Sequence, residues 1–166
     1  LVVSIDHKSW FGNDLLGGLK LRRLLEEQAF QSVQNRGGSK ELPAQKLLDF
    51  IAGRPGQVLK SSSPSGAIGV RLDELLPPKM RERILAGLEK FDRNMKGFIS
   101  DQAQLYGVES RTSCPIRVTR SEETLESVSH PGLYPAGEGA GYAGGITSAA
   151  CDGVRIAEKI VEKIGR

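Results

Sequence analysis

The sequence Gly132-Leu-Tyr-Pro-Ala-Gly-Glu-Gly-Ala-Gly-Tyr-Ala-Gly-Gly-Ile146 places five glycines in the nine positions from 137 to 145. An apolar run, Leu133 to Ala136, comes before the glycines and predicts a short strand. A helical pattern from about Ile146 to Ile164 follows them, with small and apolar residues on one stripe, namely Ala150, Val154, Ala157, Val161 and Ile164. The sequence therefore predicts a strand, a tight glycine turn and a closing helix in direct succession.

Glycines in such a turn suit a backbone that a ligand approaches closely. Glycine adopts positive φ at no steric cost, and it has no Cβ to hold a ligand away. The helix that follows directs its unsatisfied N–H groups and the positive end of its dipole toward the turn. Phosphate oxygens, or the electron-rich edge of a reduced flavin, would be attracted there. Since an exposed helix dipole contributes only about 0.3–1 kcal/mol, close approach matters more than charge.

Glu138 lies inside the glycine run and bears on which ligand the turn would take. A carboxylate repels phosphate, but it accepts hydrogen bonds from the hydroxyls of a sugar or ribityl chain. Capping of the next helix, or plain exposure, stays equally open for this residue. A Walker-type phosphate loop is excluded, because no Gly-Lys-Ser/Thr follows the glycines. Tyr142 occupies the position where a GxGxxG motif begun at Gly137 needs its third glycine.

The rest of the chain predicts a mixture of helices and short strands. Strands or extended segments are predicted at Leu1 to Ile5, Ala67 to Leu72, Gln104 to Glu109 and Pro115 to Thr119. Helices are predicted from near Leu15, with Leu21, Leu24, Leu25 and Ala29 on one face; from Pro43, with Leu47, Leu48 and Ile51; and after Pro77-Pro78, with Met80, Ile84, Leu85, Leu88, Phe91 and Met95. The predicted fold class is α+β.

Composition excludes several classes of function. Hydrophobic residues at 39% and charged residues at 26% describe a globular chain, neither disordered nor membrane-spanning. The net charge of +3 is spread along the sequence without interleaved aromatics, so we predict no nucleic-acid partner. Cys114 and Cys151 form no CxxC pair and have no histidine cluster nearby, so we predict no metal site. A reducing cytoplasm is the expected compartment.

Two stretches of sequence carry a family resemblance. The run from Gly132 to Gly153, together with Gly107-Val-Glu-Ser-Arg-Thr-Ser-Cys-Pro-Ile-Arg117, resembles the carboxy-terminal signature of bacterial uncharacterised FAD-dependent dehydrogenases. These are relatives of flavoproteins with a split FAD domain and an inserted second domain. The resemblance covers essentially the whole chain, and the motifs after Gly107 are far more specific than those before. Cys114 departs from the family, which usually has Ser there.

The resemblance implies a role for each motif residue. Glu138 would bind the ribityl or adjoining part of FAD, within a turn formed by Gly137, Gly139 and Gly141. Gly144, Gly145 and Ile146 would face the pyrimidine side of the isoalloxazine. Arg111, Thr112 and Ser113 would lie near the flavin ring, with Arg117 as a supporting cation. No catalytic acid or base is assigned.

These inferences predict a domain organisation and a function. Residues 1–102 would belong to a largely helical middle or cap domain, and residues 103–166 to the returning carboxy-terminal segment of an FAD-binding domain. The chain does not contain the family's amino-terminal strand–GxGxxG–helix unit, so we expect it to be a piece of an FAD-dependent oxidoreductase that alone is inactive and binds FAD weakly or not at all. The partners would be the flavin and an unidentified small-molecule substrate. The alternative is a self-standing binding or oligomerisation module without a cofactor, in which the glycines serve only tight packing and the last helix presents its small residues.

Overall fold

The computed structural model describes residues 1–165, and it confirms the α+β class. The elements of this part of the chain are, in order, α1 (His7–Phe11), α2 (Gly17–Gln34), β1 (Leu42–Lys46), α3 (Leu47–Ala52), β2 (Ala67–Gly69), α4 (Leu72–Leu75), α5 (Pro78–Asn94), β3 (Gln104–Tyr106) and α6 (Ile146–Ile164). None of these helices combines the length and the apolarity that crossing a membrane requires.

The chain forms two compact units. The first unit comprises Leu1–Trp10 and Leu21–Ser110, and the second comprises Phe11–Lys20 together with the chain from Arg111 onward. The predicted assignment of the two parts to a cap domain and to an FAD-binding domain stays a prediction.

The first unit is built on a three-stranded sheet with β1 in the centre. β1 pairs in parallel with β2, with Leu42 opposite Ala67, and antiparallel with β3, with Ala44 opposite Tyr106. Leu47, Phe50, Val70, Leu72 and Leu88 form the buried core. These residues come from α3, α4, α5 and Val70 after β2, so the core holds the helices to the sheet by burial of apolar surface.

A buried polar cluster fixes β1 to α4 within this unit. The Gln45 amide donates to Asp73 Oδ1 at 2.7 Å, and its oxygen accepts from the Asp73 N–H at 3.1 Å. Arg71 Nη2 donates to Asp73 Oδ2 at 2.5 Å. The Arg71 guanidinium lowers the pKa of Asp73, helped by Gln45 and opposed by burial. The cluster leaves these buried polar groups hydrogen-bonded, as a stable interior requires.

Pro43 does not begin a helix, which corrects the second predicted helix. It lies in β1, where its carbonyl accepts the Gly107 N–H at 3.0 Å, and the helix starts at Leu47 instead. Proline fixes φ near −65°, a value that suits the first turn of a helix and an extended strand alike. The pairing partners on both sides of β1 decide between the two, and they are distant in sequence.

Three predicted strands are wrong. Leu1 to Ile5 has no strand, and the side chains of Leu1 and Val2 are exposed. Pro115 to Thr119 and Leu133 to Ala136 have none either, because their backbones bond to loops: the Val118 N–H donates to Ala140 O, and Leu133 O accepts the Ser127 N–H. Strand propensity produces a strand only where a partner strand and a buried face are available.

Helix α6 begins at the predicted residue, Ile146, but buries a different face. Its buried residues are Asp152 and Ile156. The predicted stripe of Ala150, Val154, Ala157, Val161 and Ile164 is exposed instead.

Candidate functional site

The glycine turn is closed by its own backbone. The Gly141 N–H donates to Glu138 O at 3.0 Å, and the Tyr142 N–H donates to Gly137 O at 2.9 Å. Gly137 has φ +60° and Gly141 has φ +83°, values in the left-handed region that side chains rarely adopt. Two of the five glycines are therefore required by the path of the backbone.

Gly141 is also required by packing. A Cβ added there would lie 2.4 Å from Ile116 O and 3.0 Å from Arg117 Cα, both backbone atoms. Two hydrogen bonds hold this segment against the turn. The Val118 N–H donates to Ala140 O at 3.1 Å, and Arg117 Nε donates to Gly141 O at 3.0 Å. The backbone of residues 116–118 thus lies directly against the turn.

The other three glycines have no such requirement. A Cβ added at Gly139 or Gly144 would meet no atom within 4 Å, and one at Gly145 would meet only Ser148 Oγ, at 3.8 Å. None of the three has φ in the left-handed region, and φ of Gly145 is −160°. Neither backbone conformation nor contact with residues 1–165 explains why these positions lack a side chain.

These open glycines lead into the amino end of α6. The Gly145 N–H donates to Ser148 Oγ at 3.2 Å, and the Ser148 hydroxyl donates to Gly145 O at 2.9 Å. Ile146, the first helical residue, is 93% exposed. The first N–H groups of a helix have no acceptor within the helix, so this end presents donors and a positive partial charge.

Glu138 and Arg111 come together at the turn. Arg111 Nη1 donates to Glu138 Oε1 at 2.7 Å, although the residues lie 27 positions apart. Both side chains are partly exposed, at 31% for Arg111 and 42% for Glu138. The ion pair orients the carboxylate, and the exposure leaves it open to a ligand. Thr112 and Ser113, which follow Arg111, are exposed.

A buried ion pair anchors the turn from the other side. Arg120 contacts Asp152 of α6 through two hydrogen bonds, Nη1 to Oδ2 at 2.9 Å and Nη2 to Oδ1 at 2.6 Å. Asp152 Oδ2 also accepts the Gly137 N–H at 2.9 Å, and Arg120 Nη1 donates to Pro135 O at 2.7 Å. The Asp152 carboxylate thereby joins the first glycine of the turn to the first half of α6.

The interaction between Arg120 and Asp152 shifts the pKa of both side chains. The hydrogen bonds from Arg120 lower the pKa of Asp152 from 3.8 to about 2, with burial opposing them and the Gly137 N–H adding to them. The Asp152 carboxylate in turn raises the pKa of Arg120. Asp152 is therefore ionised throughout the physiological pH range.

Tyr142 closes the network at the end of the turn. Its hydroxyl accepts the Arg120 N–H at 3.1 Å and donates to Val118 O at 3.0 Å. The Arg120 guanidinium lies over its ring, with Cζ 3.6 Å from the ring centroid, and Arg117 Cζ lies 4.9 Å from it. Arg117, expected beside a flavin, thus packs on an aromatic ring of the protein, a favourable cation–π contact.

The sequence analysis missed Arg120 and Asp152. One signal was present: Asp152 lies on the same face of α6 as Ala149 and Ile156, and a carboxylate beside apolar residues that become buried needs a partner. The glycines also carry a second spacing. Gly139, Gly141 and Gly144 do have GxGxxG spacing, which the register begun at Gly137 does not show. No strand directly precedes them in the structure, so the spacing occurs outside the strand–turn–helix context of a dinucleotide fold.

Comparison with known proteins identifies the family. Residues 1–112 match the family described as FAD-dependent protein, C-terminal domain-like. The match spans 112 of the 166 residues, and the chain belongs to this family. An uncharacterised protein of Clostridium beijerinckii (strain ATCC 51743 / NCIMB 8052) is 40% identical over 166 aligned residues, which cover 98% of this chain. The chain spans 30% of the length of that relative.

The family match and the candidate site overlap only at their edge. Arg111 and Thr112 lie within the matched segment, whereas the glycine turn and Glu138 lie beyond it. The family thus relates the chain to FAD-dependent proteins, and a flavin role for the turn has to be argued from its own residues.

Proposed function

We propose that this chain is the carboxy-terminal part of an FAD-dependent oxidoreductase, a dehydrogenase, and that its glycine turn contacts the flavin. The observation that carries the proposal is the set of open glycines, Gly139, Gly144 and Gly145. Neither backbone conformation nor packing against the described residues requires glycine at these positions. A ligand that needs close approach to the backbone accounts for them, and family membership supports FAD as that ligand.

The residues around the turn fit the parts of a flavin. The exposed amino end of α6, at Gly144, Gly145 and Ile146, offers N–H donors and a positive dipole end to the pyrimidine edge, where negative charge collects on reduction. The carboxylate of Glu138 accepts hydrogen bonds from ribityl hydroxyls, and the hydrogen bond from Arg111 orients it. Thr112 and Ser113 supply hydroxyls beside Arg111.

The flavin, when bound, supplies hydride transfer with a small-molecule substrate, while the protein supplies binding, orientation and electrostatics. Four further residues hold the turn in shape without contacting the ligand, namely Gly137, Gly141, Arg120 and Asp152. The chain spans 30% of its relative, and we propose that the remaining length carries further contacts to the cofactor. The chain by itself then binds FAD weakly or not at all.

The alternative function is a binding or oligomerisation module without a cofactor. It accounts for Gly137 and Gly141, which serve the fold of the turn. It leaves the three open glycines unexplained, and for that reason we favour the flavin.

Replacing Glu138 with Gln separates the two functions. In the full-length protein (this chain together with the region its relative carries beyond the match), we expect Glu138→Gln to weaken FAD affinity by about tenfold, since hydrogen bonds to a charged group are worth roughly 1.5–3 kcal/mol. The flavin absorbance of the purified protein, relative to protein absorbance, measures this loss. Stability should change by less than about 1 kcal/mol, because the pair with Arg111 is partly exposed.

The matched control is Glu123→Gln, which removes the same charge from an exposed position of the same unit. It should leave the flavin content unchanged. Equal flavin content in both variants and the unmodified protein would show that Glu138 has only a structural role, in favour of the module without a cofactor.

A further inference from the structure

Helix α6 exposes a continuous apolar surface. Its exposed members, which we name the α6 stripe, are Ile146, Ala150, Val154, Ala157, Val161 and Ile164. The four large side chains among them are 93%, 59%, 69% and 78% exposed, for Ile146, Val154, Val161 and Ile164 in that order. Such a surface on a single helix calls for a partner, because scattered exposed side chains do not align in this way.

The α6 stripe is distinct from the polar face of the helix. At about 100° per residue, its six members fall within an arc of roughly 80°. One edge adjoins Gly153 and Ile160, which are half-buried, and beyond them lies Ile156, which is buried. The opposite edge adjoins a polar face with Arg155, Glu158 and Glu162. The apolar residues of the helix therefore extend well beyond the face that it buries, and its polar face lies on the far side of the stripe.

The size of the α6 stripe argues against a second copy of the chain as its partner. A 19-residue helix is roughly 28 Å long and about 10 Å wide, so one face offers on the order of 300 Å². Stable interfaces between separate proteins need about 800 Å² from each partner. A covalently linked partner needs far less area, because the linkage supplies a high effective concentration.

The length of the relative indicates what a covalently linked partner would be. The chain aligns over nearly its whole length with a protein of which it spans only 30%. We infer that the α6 stripe docks against an apolar face of the region that the full-length protein carries outside these 166 residues. Ile146 is both the first residue of the stripe and a neighbour of the glycine turn, so the docked region borders the candidate site. The inference does not depend on the flavin proposal, since it rests on the exposed surface and the length of the relative.

Thiol labelling tests the docking directly. Val161→Cys is made in a Cys114→Ser/Cys151→Ser background, and its rate of reaction with a maleimide is compared between the full-length protein and the 166-residue chain. We expect labelling at least about tenfold slower in the full-length protein, since exposure then needs local opening. Glu162→Cys, the adjacent residue on the polar face, is the matched control and should label at the same rate in both. Circular dichroism checks that Val161→Cys folds. If it does not, Val154→Cys, about two helical turns away on the same stripe, repeats the test.

Two results would overturn the inference. Equal labelling of Val161→Cys and Val154→Cys in both proteins would mean that the α6 stripe stays open to solvent. Labelling that slows as the concentration of the 166-residue chain rises, with a dimer in sedimentation, would assign the stripe to a second copy.

Discussion

Arg120→Met is expected to lower the free energy of unfolding by about 3–5 kcal/mol, because it leaves a buried carboxylate without its partner. Asp152 is only 8% exposed, and two of its hydrogen bonds come from Arg120. The substitution also removes the cation over Tyr142 and the donor to Pro135 O. Urea unfolding followed by circular dichroism measures the change.

Two controls define the cause of this loss. Arg117→Met removes an exposed guanidinium over the same tyrosine ring and should cost less than about 1 kcal/mol. The double variant Arg120→Met/Asp152→Leu replaces the buried pair with apolar side chains and should recover much of the stability, since such replacements are often neutral. A single variant as stable as the unmodified protein would contradict the anchoring role of the pair.

The pH dependence gives a second readout of the same pair. The folded-state pKa of Asp152 is about 2, below its usual 3.8. A lowered carboxyl pKa contributes stability that is fully present above the unfolded value and is lost as pH falls through the folded value. The contribution is therefore lost between about pH 4 and pH 2 in the unmodified protein, and Arg120→Met should lack it.

Gly141→Ala is expected to destabilise the glycine turn by roughly 2–5 kcal/mol, from backbone strain and overpacking together. At φ +83° a side chain is strained in any surroundings. The new Cβ would also lie 2.4 Å from Ile116 O, a backbone atom that moves only if residues 116–118 move with it. Thermal unfolding measures the loss.

Gly139→Ala is the matched control for this prediction. It lies two residues away in the same turn, its added Cβ meets no atom within 4 Å, and its φ is outside the left-handed region. We expect less than about 1 kcal/mol there. Equal effects of the two substitutions would mean that Gly141 does not close the turn in the way described.

Local patterns predicted the helices better than the strands. The glycines before Ile146 and the stripe of Leu25 and Ala29 were enough to place α6 and α2, because helical hydrogen bonds are local in sequence. Pro43 was assigned to a helix because its strand depends on partners more than 20 positions away, at Ala67 and Gly107. Of the stripe predicted for α5, Leu88 is buried as expected, while Phe91 and Met95 are exposed, at 39% and 50%.

The sequence predicts several residues of the candidate site but not which side chains pair with each other. The glycines and Glu138 are contiguous and could be interpreted from residue chemistry. The pairing of Glu138 with Arg111 joins positions 27 apart, and that of Arg120 with Asp152 joins positions 32 apart. Nothing in local periodicity specifies such pairs. The exposure of the α6 stripe was equally hidden, since periodicity shows that a face is apolar and does not show what covers it.

The open glycines provide the most direct test of the flavin proposal. Gly144→Ala adds a methyl group that meets no protein atom within 4 Å, and Gly87→Ala in α5 does the same away from the turn. Both variants should therefore fold with nearly unchanged stability. The decisive measurement is the FAD dissociation constant of the full-length protein carrying each substitution. We predict that Gly144→Ala weakens FAD binding by about tenfold or more, because a methyl group forced into a filled space costs roughly 1–3 kcal/mol, while Gly87→Ala leaves it unchanged. FAD binding by Gly144→Ala as tight as in the unmodified protein would contradict contact between this turn and the flavin.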